Sequence, residues 1–244
     1  MPPEYAVPAL EKALDILETL AETPEAMSQL EIALAVDRSP SQIFRVLTTL
    51  ERRGYLYRDP QSGAYSLSLR LFDLSHRQEP LRSLTEAALG PMRELAAATG
   101  QSCNLSVREG GGVRVVAQVE SPADFGFRVR VGALFPLETT ATGAVLAAFA
   151  GDDGGADADA DARADAGAVA DAGARIRADG HLERSDSLQP SITDLVFPVL
   201  NRQRVALAAL TVPYVATSFS TVPADRVREL TSRAAAAIGA SLGL

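Results

Sequence analysis

Apolar residues recur with a helical period in the N-terminal part of the chain. A first series, spaced by about 3.6 residues, predicts a helix over residues 8–21. A second helix is predicted to begin at Ser28 and to end near Val36. Ser28 and Glu31 have the spacing of a capping box, in which each side chain satisfies a backbone N–H group of the other residue. The apolar positions of the first helix are Leu10, Ala13, Leu14, Leu17 and Leu20.

A third helix has the clearest start signal in the sequence. Ser39 is its predicted N-cap, Pro40 takes the first helical position, where a missing N–H costs nothing, and Gln42 completes a second capping box. The helix is predicted to run to Arg53 and to stop at Gly54. Its buried stripe consists of the apolar residues Ile43, Val46, Leu47 and Leu50. Its exposed face consists of the polar residues Ser41, Gln42, Arg45, Thr48, Thr49 and Arg52.

Two short segments of alternating polarity follow, YLYR and AYSL, on either side of DPQSG. The proline and Gly63 favour a turn, so the segments are predicted to form a hairpin that carries Arg58. A helix, two capped helices joined by a short turn and then a hairpin form the order of a winged helix-turn-helix, which predicts binding to DNA. An ordinary solvated helix face is the alternative interpretation of the third helix. The predicted DNA contacts are Ser28, Gln29, Ser39, Ser41, Gln42, Arg45, Thr48, Thr49, Arg52 and Arg58.

After the hairpin, the segment LRLFDLSHRQ predicts a linker helix interrupted by Pro80, and a longer helix is predicted from about Leu81 to Thr99, where Gly100 ends it. From Gln101 the period changes to two, which predicts an antiparallel sheet and an α+β fold for this part of the chain. The predicted domains are a winged helix-turn-helix over 1–68, a linker helix over 69–80 and a second domain over 81–244. The predicted strands are SCNLSVRE, VRVVAQVE, FRVRV, Ile192–Asn201 and Val205–Tyr214, and the predicted helices are Ala141–Ala150 and Pro223–Leu242.

The net charge of -8 is unevenly distributed along the chain. Residues 151–186 carry ten acidic side chains against four arginines, whereas residues 38–58 carry five arginines against one glutamate. Screening confines charge effects to about 8 Å at physiological salt, so the local basic surface is compatible with DNA. Residues 151–173 are almost entirely alanine, aspartate and glycine, which predicts a weakly packed helix or a disordered loop.

Several classes of protein are disfavoured by composition. The single cysteine and the two histidines exclude an internal disulfide and the usual zinc spacings, so no metal and no cofactor are predicted. No apolar run is long enough to span a membrane, and the N-terminus has no signal-peptide pattern, so the protein is expected to be soluble and cytoplasmic.

The ordered series of these segments resembles the IclR family of bacterial transcription regulators. The resemblance runs from VPALEKALDILETL through LEIALAVDRSPSQIFRVLTTLERRGYLYRDPQSGAYSLSLRLFDLS, then through GQSCNLSVREGGGVRVVAQVESP, RVGALFPLETTATGAVLAAFAG and DLVFPVLNRQRVALAALTV. It implies a GAF-like C-terminal domain that binds a small organic effector and controls operator affinity. It also implies a homodimer or a dimer of dimers on partly palindromic operator DNA.

The resemblance further implies an effector pocket between the sheet and the segment LETTATGAVL. Ala141 and Thr142 would offer backbone N–H groups, and Asp194 would stand in the wall. The family's glycine-lysine pair is Gly143 and Ala144 here. A carboxylate at Asp194 would repel a small anionic acid unless it is protonated or paired, which favours a neutral, cationic or larger aromatic effector. The predicted effector-binding residues are Cys103, Leu105, Phe127, Phe135, Thr140, Ala141, Thr142, Gly143 and Asp194.

Alternatives remain at several of these positions. Cys103 is equally a buried small side chain, and Phe125, Phe127 and Phe135 are equally core residues. A different class of protein, a winged-helix domain joined to a small-molecule enzyme, would use Cys103 as its nucleophile, but no histidine stands in a motif that would serve as its base. A winged helix that binds only another protein is the third alternative, and salt dependence separates it from DNA binding.

Overall fold

The computed structural model describes residues 7–77, 81–124, 126–151, 166–185, 191–216 and 222–243. The chain divides into two compact units, residues 1–79 and residues 80–244. The interrupting Pro80, Phe125 and most of the aspartate-alanine segment, residues 152–165, lie outside the described residues. Within the described residues, no helix combines the length and the apolar character that a membrane crossing needs.

Three helices and a hairpin make up the core of the first unit, and a short helix follows them. The second and third helices begin at the predicted caps, because Ser28 and Ser39 lie in extended backbone just before each helix. The start of the second helix is joined to the hairpin, since Met27 and Tyr65 exchange backbone hydrogen bonds of 2.9 and 2.7 Å. The elements are α1 (Pro8–Glu22), α2 (Gln29–Ala35), α3 (Pro40–Arg52), β1 (Leu56–Arg58), β2 (Tyr65–Leu67) and α4 (Arg70–His76). Their core residues include Ile16, Leu20, Ile32, Ile43, Leu47, Leu50 and Tyr65.

An antiparallel sheet of six strands organises the second unit. Its strand order is β5-β4-β3-β8-β7-β6, so β3 and β8 lie at its centre. The helices α5 and α8 pack on one face of the sheet, and α6 packs on the other face. The elements are α5 (Leu81–Thr99), β3 (Cys103–Glu109), β4 (Gly112–Val119), β5 (Leu134–Pro136), α6 (Ala141–Ala148), α7 (Ala166–Asp179), β6 (Leu182–Ser185), β7 (Ile192–Leu200), β8 (Ala206–Val215) and α8 (Ala224–Leu242).

Two apolar clusters cover the two faces of this sheet. The cluster beneath α5 and α8 includes Met92, Leu105, Leu210 and Ile238. The cluster beneath α6 is smaller and includes Val113, Val145, Val196 and Ala209. The central strands are therefore buried on both faces, as in a three-layer arrangement of helix, sheet and helix. The predicted α+β class is confirmed.

The predicted strand FRVRV, residues 127–131, is wrong. This segment alternates between half-buried and exposed residues, but it is not part of a strand. A turn at Gly132 follows it, and the strand that pairs with β4 is instead β5. Alternating polarity indicates alternating burial, and a segment that pairs with no strand can show the same alternation. The sequence did not predict the short edge strand β6. The helix α7 includes the last residues of the aspartate-alanine segment.

Candidate DNA-binding surface and effector cavity

The exposed face of α3 begins at a tightly hydrogen-bonded cap. The backbone N–H of Ser39 donates to Oε1 of Gln42 at 2.9 Å, and the hydroxyl of Ser39 donates to the same oxygen at 3.1 Å. The hydroxyl oxygens of Ser39 and Ser41 are 3.0 Å apart. Because the cap occupies the amide oxygen of Gln42, this side chain lacks the acceptor that a bidentate contact with adenine requires. Gln42 therefore offers only its amide nitrogen to DNA while the cap is intact.

The two threonines of α3 donate their hydroxyl protons to the helix itself. Thr48 donates to the carbonyl of Phe44 at 2.9 Å, and Thr49 donates to the carbonyl of Arg45 at 2.8 Å. This bond four residues back is a common alternative for threonine within helices. It leaves each side chain with a methyl group and acceptor lone pairs for an outside contact. The threonines are thus less suited to donate to a phosphate than a hydroxyl with no partner in the helix would be.

Two arginines give this face its positive charge. Arg45 and Arg52 are exposed, and neither forms an ion pair within the described residues. A guanidinium with no carboxylate partner can form two parallel hydrogen bonds with the O6 and N7 atoms of guanine or bind a phosphate. The face therefore presents the chemistry that contact with the major groove needs.

The hairpin holds a third arginine beside its turn. The guanidinium of Arg58 lies 5.3 Å from the ring centre of Tyr65, and its Nε donates to the carbonyl of Gly63 at 3.3 Å. The turn is ordered by Asp59, whose carboxylate accepts the backbone N–H of Ser62 at 2.7 Å and that of Gln61 at 2.9 Å. These hydrogen bonds, those from Ser62 first, lower the pKa of Asp59. The arginine is thus held at a defined place on the hairpin.

The start of α2 is tied to the start of α3. Ser28 and Glu31 form the predicted capping box: the backbone N–H of Ser28 donates to the Glu31 carboxylate at 2.7 Å, and the backbone N–H of Glu31 donates to the Ser28 hydroxyl at 3.3 Å. Hydrogen bonds to the carboxylate from Ser28, that of its backbone N–H first, lower the pKa of Glu31. The side-chain amide of Gln29 donates to the carbonyl of Pro40 at 2.9 Å. This bond fixes the two helix starts relative to each other, so Gln29 has a bracing role within the unit besides any contact with DNA.

A cavity of about 260 Å³ lies between the second unit's sheet and α6. Its apolar wall includes both predicted phenylalanines, Phe127 and Phe135, and its polar part includes Thr140, Thr142 and Asp194. The volume suits a single aromatic ring with small substituents. The complete lining is Asn104, Ser106, Val113, Val115, Phe127, Val129, Phe135, Thr140, Thr142, Asp194, Thr211 and Pro213.

The structure does not bring Cys103 and Leu105 to this cavity, which corrects their predicted placement. Both are fully buried in the cluster beneath α5 and α8, and the thiol of Cys103 lies 3.5 Å from the carbonyl of Met92. Successive side chains of a strand point to opposite faces of the sheet, so the neighbours Asn104 and Ser106 face the cavity instead. Burial raises the pKa of Cys103 to about 12.

Four polar residues of the cavity are paired with one another. Ser106 lies 3.3 Å from the amide oxygen of Asn104, and the hydroxyls of Thr142 and Thr211 are 2.9 Å apart. Buried polar groups are stable only when they are hydrogen-bonded. Asn104, Ser106 and Thr211 were missed by the sequence analysis. The available signal was the presence of polar residues at every second position of an otherwise apolar strand.

The N-terminus of α6 closes one side of the cavity. Thr140 is its N-cap and accepts the N–H of Gly143 at 3.0 Å. Ala141 and Thr142 occupy the first two helical positions, where backbone N–H groups have no partner within the helix. Ala141 itself is buried in the cluster beneath α6, so of these two residues Thr142 is the one that lines the cavity.

Gly143 has a packing role at the same place. A Cβ atom there would lie 1.8 Å from the carbonyl oxygen of Leu137. The helix can therefore approach this backbone segment only because residue 143 has no side chain.

A second, more open cleft of about 420 Å³ is lined by residues of α6, α7 and β6. Two of its charged side chains already have partners within the protein. Glu183 pairs with Arg228 at 2.9 Å, and Arg184 donates to the carbonyl of Thr139 at 2.9 Å. The more enclosed cavity between α6 and the sheet is the better candidate for an effector site.

Comparison with known proteins identifies both domains. The IclR helix-turn-helix domain matches residues 9–60, and the IclR C-terminal domain of bacterial transcriptional regulators matches residues 81–240. The HTH-type transcriptional regulator XynR of Escherichia coli K12 is 24% identical over 249 residues, which cover 97% of this chain and 98% of that protein. KdgR of the same strain is 26% identical over 98% of this chain and 94% of its own length.

Solved structures are similar over the whole chain. An IclR transcriptional regulator from Alicyclobacillus acidocaldarius has a TM-score of 0.68 and 25% identity, covering 98% of this chain and 100% of its own. An IclR homologue from Microbacterium hydrocarbonoxydans, complexed with 4-hydroxybenzoate, has a TM-score of 0.72 and 21% identity, covering 96% and 98%.

These matches and the two sites define the class of protein. It is a transcriptional regulator with a DNA-binding helix-turn-helix and a ligand-binding C-terminal domain. Within that class, the chain belongs to the IclR family.

Proposed function

We propose that this regulator binds operator DNA in the cytoplasm through the exposed face of α3 and that an effector in the cavity beside α6 changes its operator affinity. The observation that carries the proposal is the pair of exposed arginines on α3, Arg45 and Arg52, which form no ion pair within the described residues. Ser41 adds a hydroxyl to this face, and Arg58 on the hairpin adds a contact to a phosphate or to the minor groove.

The functional form is a homodimer or a dimer of dimers on a partly palindromic operator. One recognition helix contacts too few base pairs for specificity, so two copies must contact successive major grooves. The helix α1 offers a surface for pairing, because Val7, Leu10 and Leu14 lie on one face of it and are 55%, 56% and 48% exposed. We expect the double substitution L10E/L14E to lower the mass observed by sedimentation to that of a smaller assembly. An unchanged mass would place the interface elsewhere.

The effector is a neutral or cationic small molecule with an aromatic or aliphatic body. Asp194 is the one ionisable residue in the cavity lining, and the remaining polar groups are hydroxyls and an amide. An ionised carboxylate in the wall disfavours a second negative charge nearby unless a partner within the protein neutralises it. The N–H groups of Ala141 and Thr142 at the start of α6 suit a hydroxyl or carbonyl oxygen of the effector.

Three matched compounds test this charge preference. We would compare 4-hydroxybenzoate, 4-hydroxybenzyl alcohol and 4-hydroxybenzylamine, which share a ring and differ in charge, by the rise in Tm of the protein. The alcohol or the amine should give the larger rise. If 4-hydroxybenzoate gives the largest rise in Tm, the proposed preference is contradicted. In that case the rise should be the same in D194N, because the charge of Asp194 would have no effect on the ligand.

We propose no catalytic role for the second unit. The alternative nucleophile, Cys103, is fully buried and has its pKa raised to about 12. The thiol is therefore protonated at neutral pH, whereas nucleophilic attack requires the thiolate. Turnover of any of the three compounds that is lost in C103A would contradict this proposal.

Operator binding itself is tested by anisotropy titration. The full-length protein is titrated against the duplex just upstream of its own gene and against a shuffled duplex, at two salt concentrations. Selective binding that weakens steeply with salt is expected, because counterions are released from each contacted phosphate. Equal binding to both duplexes would contradict operator recognition, and salt-independent behaviour would favour a protein partner.

A further inference from the structure

An aromatic side chain lies on the exposed face of α3. Phe44 is 53% exposed, although an adjacent residue, Ile43, is fully buried. After Pro40 it is the one apolar residue among the exposed positions of this helix. The other exposed positions are Ser41, Gln42, Arg45, Thr48, Thr49 and Arg52. A single exposed apolar residue is common on protein surfaces, so its position and its neighbours decide its meaning.

Phe44 lies on the part of the helix that faces outward beside the arginines. Successive residues of an α-helix are separated by about 100° around its axis. Thr48 is therefore the nearest exposed neighbour of Phe44, and Arg45 lies on the other side of the line that joins Ser41 to Thr48. The side chains of Phe44 and Arg45 thus lie on opposite sides of the line that joins Ser41 to Thr48.

The neighbouring threonine extends the apolar part of this face. Its hydroxyl donates to the carbonyl of Phe44 at 2.9 Å, so the methyl group of Thr48 is available for an outside contact. The phenyl ring and this methyl group together form an apolar strip beside Arg45. Against a polar base edge, such a strip would remove water from donors and acceptors without replacing their hydrogen bonds.

Thymine has the base edge that suits an apolar strip. It carries the one methyl group that unmodified DNA presents in the major groove, and contacts with phenylalanine rings and threonine methyl groups recognise it. We propose that Phe44, with the methyl group of Thr48, recognises a thymine methyl group next to the base pair contacted by Arg45. This inference rests on the proposed function, because it requires that α3 enter the major groove.

The experiment removes the methyl group from the DNA alone. Full-length protein is first used to select duplexes from a random-sequence pool, and each thymine of the enriched half-site is then replaced singly by deoxyuridine. For the wild type, one or two of these replacements in each half-site should weaken Kd by about fourfold, the worth of one buried methyl group. Replacement of the other thymines should leave Kd unchanged.

Variants of Phe44 connect that loss to the side chain. F44A should bind the thymine duplex more weakly than the wild type does and should show no further loss on the deoxyuridine duplex. F44L should keep part of the discrimination, because leucine retains an apolar surface, whereas F44N should lose it. The matched control is L34A on α2, where Leu34 is 72% exposed, and it should keep the full fourfold discrimination.

The outcomes separate this inference from the proposed function. If the pool yields no enriched sequence, operator recognition itself fails. If a half-site is enriched but contains no thymine, or if no deoxyuridine replacement weakens the wild type, recognition of the methyl group is overturned. The same conclusion follows if F44A still distinguishes thymine from deoxyuridine by the full factor.

Discussion

The recognition helix α3 and the central strand β3 are functional elements in different physical settings. The helix buries one stripe, led by Ile43 and Leu47, and exposes the opposite face to solvent. The strand is buried on both faces, with Leu105 beneath α5 and Ser106 beside the cavity. Polar groups on the helix are solvated at no cost, whereas those on the strand require partners inside the protein.

This difference sets the consequence of a substitution in each element. On α3, the polar side chains beyond the cap can change with little effect on folding, so their effects should appear in DNA binding. On β3, a change on either face alters a packed interior, and the two faces should separate stability from effector binding. The predictions below test that separation, beginning with the largest expected effect.

The largest effect is expected where α6 covers the cavity face of the sheet. G143A places a Cβ atom 1.8 Å from the carbonyl oxygen of Leu137, so the helix must move away. Overpacking of this kind costs about 3 kcal/mol in the free energy of unfolding, measured by urea denaturation of the full chain. The matched control is G90A in α5, where nothing lies within 4 Å, and it should be neutral or stabilising. Equal stability of the two variants would contradict the close contact.

The next effect is expected on the exposed face of α3. R45A should weaken operator binding by about 1 to 3 kcal/mol and relax the sequence preference, since a bidentate contact with guanine is lost. Its unfolding transition should be unchanged, because the side chain is exposed. The matched variant R52A removes the second guanidinium of this face, which we expect to bind a phosphate, so it should weaken binding to all sequences alike and reduce the salt slope by about one. Unchanged operator binding by R45A would remove this helix as the recognition element.

A smaller pair of effects is expected from the two faces of β3. C103A should lower the free energy of unfolding by about 1 kcal/mol and leave effector binding unchanged, because its side chain packs beneath α5. N104L should weaken binding of the compound that raises Tm most, by about tenfold, because a polar partner in the cavity is lost. It should also lower the free energy of unfolding, because the hydroxyl of Ser106 loses its acceptor. Calorimetric titration measures both affinities. Loss of effector binding in C103A would contradict the assignment of the two faces.

The smallest effect is expected in the hairpin turn. The pKa of Asp59 is lowered by hydrogen bonds from Ser62 and Gln61. The ionised carboxylate therefore stabilises the turn above the pKa that Asp59 has in the unfolded chain, and this stabilisation is lost as pH falls through the lower pKa of the folded protein. The amide resonances of Ser62 and Gln61 should therefore shift together as pH falls below about 4. D59N should abolish this titration and retain the resonances at neutral pH. A transition centred above pH 5 would contradict the ionised cap.

The structure and the sequence agree best where structure is local. The capping box of α2 and the polar cap of α3 are formed by residues three positions apart, and their spacing in the sequence was sufficient to place both helix starts. The winged helix-turn-helix followed from the order of such signals. The segment 127–131 shows the limit, because its alternating polarity marks alternating burial and not a hydrogen-bonded strand.

The sequence by itself determined which face of α3 is exposed, because the helical period separates apolar from polar residues along one element. It did not determine which face of β3 meets the cavity, since helices cover both sides of the central strand. Only the tertiary structure assigned Asn104 and Ser106 to the cavity and Cys103 to the opposite core. It also assigned Gly143 its contact with Leu137. The physical reason is that the surroundings of each face of a doubly buried strand depend on which helix packs on that face. Such a contact joins residues far apart in the chain.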